Sequence, residues 1–160
     1  MNLNISYSLD EHGWSTCIFF IDEKWYELNI THIFPNHPPI EVCIQSLLSM
    51  MKGGKESEFY WYGEPGGEKI TLKEINKNRS LLLLVATNCD HPYEDQEEEN
   101  EIYFQVQVSK KILVTLFFYE FKKIEALMQD KYYENNRKGE FPFQLFKIFE
   151  LKVQDYLGIH

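Results

Sequence analysis

Four leucines and a valine in an unbroken row, Leu81 to Val85, leave a strand no polar side to turn toward water. Successive side chains of a strand alternate between its faces, so this run suits an interior strand covered on both sides. The turn-forming stretch Asn76 to Arg79 precedes it and an acidic stretch follows it, which bounds a strand over 80–87 at the middle of a sheet.

The rest of the chain supplies partners for that strand. Two extended segments, 4–9 and 14–21, flank the turn chemistry of Asp10-Glu11-His12-Gly13 and read as a hairpin. After Asp22-Glu23-Lys24, the residues Tyr26, Leu28 and Ile30 alternate with Glu27, Asn29 and Thr31, the period of a half-buried third strand. Pro38-Pro39 opens a helix marked by Ile40, Ile44, Leu47 and Met51, and Gly53-Gly54 stops it. Segments 58–62 and 69–74 flank Gly63-Glu64-Pro65-Gly66-Gly67 as a second hairpin. Ile102, Phe104, Val106 and Val108 mark a last strand. Ser109 caps a long helix predicted to run to about Tyr133, and Pro142 at a first helical position opens a closing helix along Phe143, Phe146, Phe149, Val153 and Leu157.

Strands joined by short turns, with one helix among them and two after them, predict an α+β domain: a mainly antiparallel sheet with helices packed against one face, two of them C-terminal. The 160 residues form one domain. Twelve Phe, ten Tyr and three Trp predict a core rich in rings. The stretch 88–101 carries Asp90, Glu94, Asp95, Glu97, Glu98, Glu99 and Glu101 with almost nothing to bury, and is expected to be a mobile acidic loop.

A net charge of -9 repels nucleic-acid phosphates and anionic lipid headgroups, so neither nucleic acid nor membrane is an expected partner. The longest apolar runs fall far short of the roughly 18 residues that span a bilayer. No basic stretch followed by an apolar one stands at the N-terminus, and Cys17, Cys43 and Cys89 include no C-x-x-C pair. These features predict free thiols and a cytoplasmic location.

The chemistry-bearing residues form no strong constellation. His32 and His37 sit close in sequence, and Cys89-Asp90-His91 adds zinc-type donors, but the two close ligand pairs of a structural zinc site are missing. No metal or cofactor is expected, and these read as loop residues. The three cysteines, in a strand, a helix and a loop edge, read as buried or inert thiols rather than nucleophiles. Hydrolase, P-loop, dinucleotide-binding and zincin motifs are absent, so no catalytic residue is assigned. Gly63 to Gly67 lacks the following helix and the lysine of a phosphate cradle.

Tyr60-Trp61-Tyr62 places three rings in one strand, so at least one must face away from the buried side and could anchor a partner. The run from Tyr60 through Glu68, followed by Ile70 and Leu72, resembles a pattern in small bacterial proteins, some of them immunity proteins of polymorphic toxin systems. So do Tyr133, Phe141-Pro142 and Leu145. That resemblance implies a non-enzymatic α+β domain. The expected function is a non-catalytic intracellular binding protein, an immunity-type inhibitor of a basic toxin or enzyme domain. Tyr60, Trp61, Tyr62, Glu97, Glu98 and Glu99 are its nominated contact residues. The alternative is a small-molecule-binding or enzymatic domain with a site between sheet and helices that uses His32, His37 or His91.

Overall fold

The computed structural model describes residues 2–90, 101–137 and 139–159. The alternating segments at the start of the chain form β1 (Leu3–Leu9), β2 (Trp14–Ile21) and β3 (Lys24–Thr31), and α1 (Pro39–Met51) follows. Then come β4 (Glu56–Tyr62), β5 (Gly67–Ile75), β6 (Asn78–Cys89) and β7 (Ile102–Ser109). The helices α2 (Lys110–Leu127), α3 (Lys131–Glu134) and α4 (Phe143–Leu157) complete an α+β fold.

All strand pairs are antiparallel, but they divide into two sheets rather than one, β1-β2-β3 and β4-β5-β6-β7. The cause lies in residues 32–55, which carry the chain off the first sheet and through α1 before β4 begins, so β3 and β4 approach without pairing. Each sheet buries one face. Tyr7, Cys17, Phe19, Leu28 and Ile30 from the first sheet meet Phe59, Trp61, Leu84 and Phe104 from the second, with α1, α2 and α4 closing the core. Phe19 lies 4.8 Å from Phe104 and Phe117 5.7 Å from Phe121 between ring centroids, so the core is ring-rich as composition predicts.

β6 pairs on both sides, as its apolar run requires. Leu82, Leu84 and Ala86 are buried, whereas Leu81, Leu83 and Val85 on the other face are half-buried. Among the described residues no second layer covers that face as the sequence suggests; Leu83 lies between Lys73 and Gln107, and Val85 between Thr71 and Gln105. The turn into β6 places Asn76 and Lys77 at φ 50° and 58°, the two left-handed residues of a tight hairpin whose twist matches its strands. In the β4–β5 turn, Gly67 has φ 149° and a Cβ there would stand 2.4 Å from the Trp61 carbonyl oxygen, so only glycine closes this hairpin.

Two helix ends differ from the sequence reading. α2 stops at Leu127 rather than near Tyr133, because the Asp130 side chain accepts from the backbone N–H groups of Tyr132 and Tyr133 and caps the separate α3. Pro142 is the residue before α4 rather than its first, and Ser109 precedes α2 without making a side-chain cap bond. Of the predicted acidic loop, Asn88 and Cys89 belong to β6 and the Asn88 N–H donates to the Glu101 carbonyl, while residues 91–100 lie outside the described residues. No described helix is long and apolar enough to cross a membrane.

Candidate functional site

The alternation of β4 sends its three consecutive rings to different places. Trp61 points into the core with no exposed surface, ringed by Tyr7, Phe19, Phe59 and Phe117, and its indole N–H donates to the Pro39 carbonyl at 2.9 Å. A ring so enclosed offers nothing to a partner, so the central nominated anchor is a core residue. Tyr60 and Tyr62 point the other way and stack 5.6 Å apart. Segment 32–37 folds over them: Phe34 meets Tyr62 edge-on at 5.0 Å, and His37 meets Tyr62 at 5.0 Å and Tyr60 at 6.2 Å. Tyr62 is thereby buried, and Tyr60 keeps partial exposure.

Tyr60 and His37 form one wall of a cleft of about 420 Å3 between α1 and β4. Gln45 and Ser46 of α1, Ser57 and Glu58 of β4 and Asn36 of the preceding loop supply its polar groups, and Ser46 Oγ donates to Ser57 Oγ at 2.7 Å. Glu58 lies 3.6 Å from Lys69 on the solvent side. Amides, hydroxyls and rings, with the Glu58 carboxylate at the edge, make this a lining suited to recognition by hydrogen bonds and stacking.

A second arrangement was not visible in the sequence. Ser15 Oγ lies 2.6 Å from His32 Nε2, and His32 Nδ1 lies 3.2 Å from Glu140 Oε2, the order of groups found in serine hydrolases. Burial pushes the His32 imidazole down to about 4, with the Asp10 charge opposing, and burial raises the Glu140 carboxyl. The Tyr7 hydroxyl is buried beside Ser15. Ser15 is only 1% exposed and sits in the middle strand, register-paired with Leu9 and Ile30, so its backbone is committed to the ladder and its hydroxyl is closed to a substrate. The set instead fastens the start of β2 and the end of β3 to the segment before α4. Arg137 does the same for the end of β1, with its Nε–H on the Leu9 carbonyl at 2.7 Å and its guanidinium 4.0 Å over the Tyr133 ring.

His32 and His37 thus serve different neighbourhoods, and His91 lies outside the described residues, as do Glu97, Glu98 and Glu99. Among the described residues no three His, Cys, Asp or Glu side chains converge on a metal-sized space. Cys17 and Cys43 are buried and Cys89 is half-buried, all three as free thiols, and burial pushes each thiol up. The chain matches no protein-family model, no curated protein and no solved structure.

Two half-buried groups give the fold opposing pH responses. His32 binds a proton less readily in the fold than its ordinary 6.5, so the stability its neutral form contributes is full above that value and is lost as pH falls toward 4. Glu68 lies on the buried face opposite Trp61 and Asn88, and burial pushes its carboxyl from 4.5 up to about 7, so the fold holds its proton and loses stability as pH rises through that interval. The two slopes oppose each other where they overlap. Glu68→Gln should raise stability above neutral pH by on the order of 1–2 kcal/mol and leave a steeper acid-side decline belonging to His32. Urea unfolding across the pH range reads both effects; an unchanged profile would mean that Glu68 is ionised in the fold.

Proposed function

We propose that this chain is a non-catalytic binding protein whose partner is a basic protein, in the manner of an immunity-type inhibitor that occupies a toxin or enzyme domain. The observation that carries the reading is a contrast in access. The one catalysis-like set among the described residues, Ser15 with His32 and Glu140, is sealed, whereas the open α1–β4 cleft is lined mainly by amides, hydroxyls and rings suited to recognition. The charge of -9 then selects a cationic partner and steers its approach. Three free thiols support a reducing compartment as the setting of the encounter.

Immobilised protein exposed to extract of its native host should capture a basic protein that salt releases. Capture of a neutral or acidic protein, or no capture while a small molecule raises the melting temperature, would overturn the reading. The second outcome would favour a small-molecule site, for which the cleft with His37 and Tyr60 at its wall is the place.

A further inference from the structure

The alternation that buries Leu28 and Ile30 of β3 turns Trp25, Glu27 and Asn29 outward. Trp25 is 70% exposed, far more than a ring of that size ordinarily is. Its register partner across the β2–β3 turn is Phe20, itself 38% exposed, so the two rings stand side by side on the outward face of the three-stranded sheet. Half-buried Ile18 continues this apolar strip between Ser6 and Glu27. On the β3 side the Tyr103 hydroxyl reaches within 3.5 Å of the Glu27 carbonyl.

Charge decides what could cover this strip. Asp22 and Glu23 stand in the turn next to the rings and Glu27 two residues on from Trp25 along the same face of β3, with Lys24 between them in sequence. A second copy of the chain would bring another -9 against them, and phosphate-rich polymers or lipid surfaces would be repelled likewise. A cationic side chain gains twice, from the carboxylates and from the face of an exposed indole. A guanidinium does so better than an ammonium, because it is planar, stacks on aromatic faces and forks onto carboxylates.

We infer that the outward face of the first sheet is the surface on which the basic partner docks, with an arginine of that partner stacked on Trp25 beside Phe20 and held by Glu27. This rests on the partner's being a basic protein, and it places the contact on a surface separate from the α1–β4 cleft.

The test is a titration of the intact 15N-labelled protein with an oligoarginine peptide, following the indole N–H signals of Trp14, Trp25 and Trp61, with oligolysine and oligoglutamate as comparisons. Oligoarginine should shift the Trp25 indole and its β2–β3 neighbours while Trp61 stays still, oligolysine should bind several-fold more weakly, and oligoglutamate should not bind. Trp25→Ala, which removes an exposed ring, should keep the thermal midpoint and weaken oligoarginine binding about tenfold or more. Glu27→Gln gives an independent loss without touching the rings. Shifts confined to the cleft or elsewhere, with Trp25→Ala binding as before, would overturn this surface while leaving the basic partner standing. No binding of oligoarginine at all would overturn both.

Discussion

Trp61→Ala should lower the stability of the domain by about 3–5 kcal/mol, enough to leave a marginal domain largely unfolded. The side chain is wholly enclosed by rings from β1, β2, β4 and α2, and the space left by an indole is too large for those neighbours to fill by small shifts. Trp61→Phe keeps most of that volume but removes the indole N–H bond to the Pro39 carbonyl at the start of α1, so its cost should be nearer 1–2 kcal/mol. Urea unfolding separates the two. If Trp61→Ala instead kept full stability and weakened only partner binding, the indole would be a surface anchor and the packing described here would be wrong.

The second large effect belongs to Lys110. It begins α2, where a cation is disfavoured by the helix dipole, yet it is buried, and its ammonium donates to the Met50 carbonyl at 3.0 Å and lies 3.6 Å from Glu74. That carbonyl belongs to the last turn of α1, where helix carbonyls lack intrahelical partners, so the lysine ties the end of one helix to the start of another. Lys110→Met should cost about 3–5 kcal/mol, because it strands the buried Glu74 carboxylate, whereas the Met50 carbonyl still accepts from the Gly53 N–H at 3.2 Å. Adding Glu74→Gln removes the stranded charge and should restore a large part of the loss. A double variant no more stable than Lys110→Met would show that the pair is not coupled.

The residues that make local structure were readable from the sequence, and those that depend on distant partners were not. The alternation of Tyr26, Leu28 and Ile30 located β3, and the turn residues around Asp22 and Gly67 located its neighbours, because strand period and turn chemistry are properties of a few adjacent side chains. The same alternation already implied that Trp25 faces outward, and this was the available signal for the exposed ring. Three consecutive rings at 60–62 show that one must face away from the core, but which one depends on the face that meets Phe19 and Phe117, a matter of tertiary packing. Ser15, His32 and Glu140 are brought together across more than a hundred residues, and no spacing rule links a turn before α4 to a strand near the N-terminus. Asp130 ended α2 where the apolar spacing continued through Met128 to Tyr133, because a single capping side chain outweighed the periodic pattern.

The most direct test of an acidic binding protein anchored by Trp25 is the association and dissociation rate of its captured partner at two salt concentrations, for the wild type and for Trp25→Ala. Charge acts during approach and the ring acts after contact. Added salt should therefore slow association of both proteins strongly and change dissociation little, while Trp25→Ala should leave association nearly unchanged and speed dissociation about tenfold or more. An association rate indifferent to salt, or a Trp25→Ala complex that dissociates as slowly as the wild type, would contradict the account.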